Sequence, residues 1–172
     1  MDVDKSAVAA FFNERAAAWD GYGQPDADKI NAVLDAAGVI KGVSVLDIGC
    51  GTGVLFPYYF SRGAALATGV DLSIGMIEQA RTKFAAEPRA RFLCADAVTE
   101  PLPKHDLCLV FNALPHFADP GALIAALSRA LPAGGRLTIA HGESRRAINA
   151  RHERHASAVS RELPPAQELA NL

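Results

Sequence analysis

The chain has 172 residues, half of them apolar, and a formal net charge of -2 at pH 7. This composition supports a hydrophobic core and excludes an intrinsically disordered chain. The balanced charge argues against a nucleic-acid partner and against binding to an anionic membrane surface. The apolar runs are shorter than the roughly 20 residues of a membrane span, and the acidic start lacks a signal-peptide pattern.

The first elements in the chain are predicted to be helices, at residues 5–19 and 26–37. In the second helix, Ile30, Val33, Leu34 and Ala37 are spaced three or four apart, and Gly38 suits its C-terminal cap. We expect residues 1–38 to form an N-terminal helical cap on a single domain that spans residues 1–172.

Strands and helices alternate from residue 39 onward. Strands are predicted at residues 43–48, 65–71, 90–95, 106–111 and 136–140, with helices at 54–62, at 74–86 and after Asp119. This alternation predicts an α/β fold with a doubly wound, Rossmann-like, mostly parallel sheet of five strands. The core should cover residues 39–142, followed by a helical segment at 143–172.

A glycine-rich loop follows the first predicted strand. The strand reaches Asp47, and Gly49, Gly51 and Gly53 then occupy alternate positions. Because glycine has no Cβ, such a loop lets the backbone approach a ligand closely. The next helix would direct its free N–H groups and positive dipole end to the same place. The run predicts a cradle for a nucleotide-type cofactor.

Polar residues follow the other predicted strands, where an open parallel sheet binds its ligands. Asp71 ends the second strand and could accept both hydroxyls of a ribose, while Asp96 after the third strand lies where an adenine amino group would be. Asn112 and His116 follow the fourth strand, and His141 follows the fifth. The structural alternative is that these aspartates only cap helices or loops.

Four ordered segments resemble motifs of the class I S-adenosylmethionine-dependent methyltransferases. They lie at residues 46–53, 69–73, 95–97 and 131–137. Position 54 is Val, so the dinucleotide pattern GxGxxG is absent, which disfavours an NAD(P)-dependent oxidoreductase of the same fold. Residues 111–117 lack the [DN]-P-P-[YFW] signature of amino-group methyltransferases and are similar to the small-molecule, quinone-biosynthesis-like branch.

The resemblance implies S-adenosyl-L-methionine as cofactor, with Asp71 on its ribose and Asp96 with Ala97 on its adenine. The implied cofactor residues are Asp47, Gly49, Cys50, Gly51, Gly53, Asp71, Leu72, Met76, Asp96, Ala97 and Asn112. Related small-molecule enzymes close an N-terminal segment over the cofactor. The candidates for that lid are Phe11, Phe12, Arg15, Trp19 and Tyr22. The alternative for Met76 and for the aromatic residues is ordinary core packing.

The expected reaction is direct methyl displacement onto a small-molecule acceptor, which mainly requires alignment of the reactants. His116 is a candidate base and Asn112 a second candidate catalytic residue, although His116 could instead bind a loop backbone. His141 and Arg145 are candidates for contact with the acceptor. A non-catalytic S-adenosylmethionine-binding or regulatory module would keep the same cofactor residues and stays open.

The histidines could suggest a metal site, formed by His116, His141, His152 and His155. No cysteine accompanies them, and we expect no bound metal. The three cysteines of the chain, Cys50, Cys94 and Cys108, form no CxxC pair, which predicts a reducing, cytoplasmic location.

The family fold has two further strands, which form a hairpin beside the fifth strand. The sequence contains only five predicted strands, so we expect residues 143–172 to be a truncated C-terminal segment. An uncovered strand edge exposes unpaired backbone groups. We therefore expect a missing segment or self-association to cover the fifth strand.

Overall fold

The computed structural model describes residues 3–22 and 26–172. Its described strands are β1 (Ser44–Ile48), β2 (Leu66–Asp71), β3 (Ala90–Cys94), β4 (Leu107–Phe111) and β5 (Arg136–Ala140). The described α-helices are α1 (Lys5–Arg15), α2 (Ala27–Ala37), α3 (Phe56–Ser61), α4 (Ile74–Lys83), α5 (Pro120–Ala130), α6 (Arg145–His155) and α7 (Ala166–Ala170). Two 3-10 helices lie at Ala16–Tyr22 and Leu114–His116.

The five described strands form one parallel sheet in the order β3-β2-β1-β4-β5. The chain adds β2 and β3 on one side of β1 and then β4 and β5 on the other side. This reversal of strand order between β1 and β4 creates the crevice where doubly wound folds bind ligands. The predicted fold class is therefore confirmed. Within the described part of the chain, β5 pairs only with β4, and the covering of its outer edge stays a prediction.

The sheet has a separate apolar core on each face. Val45 of β1 packs with residues of α2, α3 and α4, whereas Leu46 and Ile48 pack with residues of α5 and α6. Alternate residues of a strand point to opposite faces, so a short apolar run supplies both cores.

The N-terminal helix is shorter than the sequence predicts. The α-helix ends at Arg15, and Ala16–Tyr22 continue as a 3-10 helix. At the junction, the Asn13 side chain accepts hydrogen bonds from the Ser73 hydroxyl and the Gly75 N–H at the start of α4. This contact holds the N-terminal segment against the start of α4, and sequence periodicity does not encode it.

The segment at 143–172, predicted to be helical, is helical only in parts: α6 ends at His155, and α7 covers Ala166–Ala170. The chain after it folds back, with the Arg161 N–H donating to the Pro115 carbonyl and the Asn149 side chain bonding both backbone groups of Leu163. Among the residues that the structure describes, none of the helices has the length and hydrophobicity to cross a membrane.

Candidate functional site

A cavity of about 1120 Å³ opens beyond the carboxyl ends of the parallel strands. It is walled by the N-terminal segment, the glycine loop, the strand ends and α6. The predicted residues that line it are Phe11, Phe12, Arg15, Trp19, Tyr22, Gly49, Cys50, Gly51, Asp71, Leu72, Met76, Asp96, Ala97, Asn112, His116, His152 and His155. The volume exceeds the roughly 300–1,000 Å³ of an ordinary single-ligand pocket, so it can hold two small molecules side by side.

The glycine loop forms the cavity floor in a conformation that only glycine adopts easily. Gly49 and Gly51 have φ values of 66° and 53°. A Cβ on Gly49 would lie 2.5 Å from the Ala113 Cβ, whereas one on Gly51 would meet nothing closer than Trp19 Nε1 at 3.6 Å. Gly49 is thus required by packing, and Gly51 leaves open space facing the cavity.

Asp71 connects the end of β2 to this loop. Its Oδ2 accepts the Gly51 N–H at 2.9 Å, and its Oδ1 accepts the Ser73 N–H at 2.9 Å. Burial raises the pKa of Asp71, and these N–H donors oppose that shift. Each carboxylate oxygen has two lone pairs, so both can accept a further hydrogen bond from a ligand hydroxyl.

Asp96 lies two residues after the end of β3 and closes a tight turn. It accepts hydrogen bonds from the Val98 N–H, the Thr99 hydroxyl and the Lys5 ammonium. Burial would raise the pKa of Asp96, but Lys5 and the two other donors outweigh it and lower that pKa. The carboxylate is therefore ionised at neutral pH, and Lys5 of α1 reaches it across the cavity rim.

Aromatic residues of the N-terminal segment form the cavity roof. Phe12 makes edge-to-face contacts with Phe11, Trp19 and His116, with ring centroids 5.2, 5.4 and 4.9 Å away. Tyr22 continues the series from Trp19 at 6.0 Å and is 68% exposed. These rings line the cavity and also pack on one another. Their positions are therefore compatible both with a lid over the cofactor and with ordinary packing.

His116 has a fixed orientation at the wall. Its Nδ1–H donates to the Val159 carbonyl at 2.8 Å, which assigns the Nδ1–H tautomer and leaves Nε2 as the acceptor. Burial lowers the pKa of His116, and the nearby positive charge of Arg151 lowers it further. The hydrogen bond to the Val159 carbonyl acts in the opposite direction. The ring is neutral at pH 7. The hydrogen bond to a loop backbone, which the sequence offered as the alternative to a catalytic role, is present, and Nε2 is left available as an acceptor.

Asn112 adopts a left-handed conformation at the end of β4, with φ of 56°. Its side-chain Oδ1 accepts the Gly142 N–H at 2.9 Å, tying the ends of β4 and β5 together. Asparagine is among the few residues other than glycine that adopt this conformation readily, and residues held in it cluster at turns and functional sites.

Four predicted site residues lie outside the cavity lining: Asp47, Gly53, His141 and Arg145. Asp47 is 2% exposed, and burial raises its pKa to about 7. The nearby Tyr59 hydroxyl opposes that shift, although it does not reach hydrogen-bond geometry. Gly53 packs instead on Phe84, because a Cβ there would lie 2.8 Å from that ring.

His141 and Arg145 occupy positions beside the cavity. Burial lowers the pKa of His141 to about 4, and its Nε2 is buried without a partner. Arg145 lies 3.7 Å from Glu162 in an exposed ion pair. In the part of the chain that the structure describes, no group of three or more His, Cys, Asp or Glu residues could hold a metal ion.

Several lining residues were not predicted from the sequence, including Lys5, Asp20, Glu143 and Arg151. Asp20 contacts the Thr52 hydroxyl at 2.6 Å and Lys83 at 2.5 Å, which ties the N-terminal segment to the glycine loop. Charged residues on short or polar helices look like solvent-facing residues in a sequence. These four residues are recognised as cavity residues only in the folded structure, where they lie close to strand ends that are distant in the sequence.

A methyltransferase-domain family model matches residues 45–135, which include the glycine loop, Asp71 and Asp96. A malonyl-[acyl-carrier protein] O-methyltransferase from Pseudescherichia vulneris is 33% identical over 135 residues, covering 77% of this chain and 52% of that protein. A ubiquinone biosynthesis O-methyltransferase from Pseudomonas putida is 29% identical over 147 residues, covering 79% of this chain and 62% of that protein.

Solved structures show the same fold. The YcgJ protein from Bacillus subtilis superposes with a TM-score of 0.71 at 22% identity, covering 84% of this chain and 66% of that one. Magnesium protoporphyrin IX methyltransferase from Synechocystis gives a TM-score of 0.60 at 25% identity, covering 74% and 72%.

The motifs, the strand order and the family match agree, and the chain belongs to the class I S-adenosylmethionine-dependent methyltransferase family. It spans 52% and 62% of the length of the two curated relatives described above.

Proposed function

We propose that this protein binds S-adenosyl-L-methionine and transfers its methyl group to a small molecule. The observation that carries the proposal is the Gly51–Asp71 contact, which places an open glycine backbone and a strand-end carboxylate on one cavity floor. The cavity volume supports a second molecule beside the cofactor.

The residues present suit this cofactor. Gly49 and Gly51 supply exposed backbone for its methionine part, Asp71 has free lone pairs for its ribose hydroxyls, and Asp96 with Ala97 borders the adenine subsite. When bound, the cofactor supplies an activated methyl group on a positively charged sulfur. Asp47 and Gly53, the two predicted cofactor residues outside the cavity lining, would act through the packing of the strand end and the loop and not by contact with the cofactor.

The protein's own groups would orient the acceptor and exclude water. The aromatic roof around Phe12 covers the cavity, and Asn112 fixes the position of the β4 and β5 ends. His116 would accept a proton at Nε2 from an acceptor that carries one, because its Nδ1–H is held by Val159.

Cofactor binding is tested by calorimetry with S-adenosylmethionine, S-adenosylhomocysteine and NAD. We expect micromolar binding of both sulfur cofactors and no binding of NAD. The Asp71→Ala variant should lose at least about tenfold in affinity, as expected for removal of a charged hydrogen-bond acceptor. Asp28→Ala, on the exposed surface of α2, is the matched control. Failure of the native protein to bind either sulfur cofactor would reject the proposal.

The alternative of a non-catalytic binding module is tested by turnover. Two curated relatives named above are O-methyltransferases, and one is named for an acyl-carrier-protein-linked substrate. Products formed from a panel of hydroxylated and carboxylated small molecules would support an enzyme. His116→Gln should then reduce kcat while leaving cofactor affinity unchanged, whereas binding without any product would favour the module.

The cellular and domain context completes the proposal. The three cysteines are free, with Cys50 and Cys108 buried, which supports a reducing cytoplasmic location. Residues 1–38 would act as the cap, 39–142 as the cofactor-binding core and 143–172 as the C-terminal helical segment of one domain. Covering of β5 by a further segment or by self-association belongs to the same proposal.

A further inference from the structure

The 3-10 helix Ala16–Tyr22 carries part of the cavity lining and lies beside the glycine loop. Trp19, Asp20 and Tyr22 line the cavity, and Trp19 Nε1 lies 3.6 Å from the place that a Cβ on Gly51 would take. Seven residues is long for this type of helix, which has poorer hydrogen-bond geometry than an α-helix and seldom exceeds about three or four residues. We call Ala16–Tyr22 the flap.

The flap has a closely packed base at its first residue. Ala16 is 5% exposed, and a Cβ on Gly75 at the start of α4 would lie 3.1 Å from the Ala16 Cβ. Asn13, one turn before, accepts hydrogen bonds from Ser73 and Gly75 at the same place. The other six residues of the flap, all of which the structure describes, include none that is buried. Segments with few buried contacts open more easily than the core does.

The far part of the flap is held by a polar group of three side chains. The Thr52 hydroxyl donates to Asp20 Oδ1 at 2.6 Å, Lys83 Nζ lies 2.5 Å from Asp20 Oδ2, and Lys83 also donates to Thr52 Oγ1 at 3.2 Å. Trp19 adds an edge-to-face contact with Phe12. We call Asp20, Thr52 and Lys83 the latch, because they join the flap to the glycine loop and to the last turn of α4.

The latch is ionic and partly exposed to solvent. Burial would raise the pKa of Asp20, but Lys83 and the Thr52 hydroxyl outweigh it and lower that pKa, so the carboxylate is ionised at neutral pH. The side chains of Lys83 and Asp20 are 34% and 46% exposed. Water and salt therefore screen the ion pair, and its strength suits a contact that breaks and reforms.

We propose that the latch controls how fast the cofactor and its demethylated product leave the cavity. The inference rests on the proposed function and adds a conformational control to the same site. Rotation of the flap about its base at Ala16 would separate Asp20 from Thr52 and Lys83 and uncover the Gly51 backbone. The latch residues act as positioning residues, because they hold the flap and take no part in methyl transfer.

The test uses Trp19 as a built-in probe, since it is the single tryptophan of the chain. Quenching of its fluorescence by acrylamide is measured without any cofactor, in the native protein and in Asp20→Asn, Lys83→Met and Thr52→Val. We expect stronger quenching in all three variants. Release of S-adenosylhomocysteine is then followed by stopped-flow fluorescence and should be about three- to tenfold faster, the effect expected for loss of a partly screened ion pair.

The variants separate the latch from the electric field of the cavity. Asp20→Asn removes a negative charge and Lys83→Met a positive one, so their fields change in opposite directions while both break the latch. Asp20→Glu keeps the charge and should release S-adenosylhomocysteine at close to the native rate. Sodium chloride at about 1 M should speed release from the native protein and leave Asp20→Asn nearly unchanged.

Asp28→Asn, an exposed position in the first turn of α2, is the matched control and should behave as the native protein. Circular dichroism verifies that each variant is folded. Native quenching and native release rates in the latch variants would overturn the inference, and so would opposite effects of Asp20→Asn and Lys83→Met on release. Calorimetry with S-adenosylhomocysteine comes first: a native protein that does not bind it contradicts the proposed function, whereas the quenching experiment needs no cofactor and tests the latch by itself.

Discussion

Lys5 at the start of α1 forms an ion pair with Asp96 in the turn after β3, with 2.5 Å between Nζ and Oδ2. The partners are 91 positions apart in the chain, and both line the cavity. At the other end of the roof, Asp20 contacts Thr52 and Lys83. The roof is therefore tied at two points to the strand-end region that it covers.

Replacing Lys5 by Met should weaken binding of S-adenosylmethionine rather than unfold the protein. The Lys5 side chain is 48% exposed, so the pair contributes at most about 1 kcal/mol to folding after solvent screening. Because the pair holds the roof to the adenine subsite, we expect the dissociation constant to rise about two- to fivefold. Calorimetry at low and high salt measures this change.

The control for this variant is Lys104→Met, an exposed lysine outside the cavity lining. It should bind the cofactor like the native protein at both salt concentrations. Tighter binding by Lys5→Met would contradict the prediction, because it would show that Lys5 competes with the cofactor for Asp96.

Alanine substitutions at Gly49 and Gly51 should have different effects. Gly49→Ala places a Cβ 2.5 Å from the Ala113 Cβ, so we expect a loss of about 2–4 kcal/mol in the free energy of unfolding. Gly51→Ala meets no close atom, and only its left-handed φ costs about 1–2 kcal/mol.

Urea denaturation of the two variants measures this difference, and calorimetry measures cofactor affinity. Gly51→Ala should stay folded and lose most of its affinity, because its methyl group points into the space beside Trp19. Equal stability of the two variants would show that the Gly49–Ala113 approach is not a packing constraint.

The strands and the glycine loop could be predicted because local sequence determines them. Apolar residues such as Val45 and Leu46 fill two cores from one strand, and Gly51 is left-handed where a ligand would approach. Arg151 could not be identified as a cavity residue, because a polar helix gives no signal for the side that faces a sheet. The burial of Asp47 could not be predicted either, because a carboxylate at a strand end is expected to face solvent or a ligand, whereas Asp47 is 2% exposed and lies near Tyr59.

Asp47 should make the stability of the protein depend on pH in a direction unusual for an aspartate. Burial raises its pKa from 3.8 to about 7, so the folded state binds its proton more tightly than the unfolded state does. The resulting stabilisation is complete below about pH 4 and is lost as the pH rises through about 7.

Asp47→Asn stays neutral at every pH and should lack this loss. Relative to the native protein, its free energy of unfolding should rise by on the order of 4 kcal/mol between acidic and mildly alkaline pH. Chemical denaturation at a series of pH values measures the difference, with the exposed Asp28→Asn as control. A constant difference across the series would mean that Asp47 is ionised throughout.

Asn112 should tolerate glycine better than alanine. Both substitutions remove the hydrogen bond from the Gly142 N–H, but alanine must also adopt the left-handed φ of 56°. We expect Asn112→Ala to be less stable than Asn112→Gly by about 1–2 kcal/mol in urea denaturation. Both variants lose the side chain from the cavity wall, so both should lose turnover to the same extent.

If alanine and glycine proved equally stable, the left-handed backbone would carry no strain. A glycine variant with native turnover would instead show that Asn112 serves only to turn the chain at the end of β4.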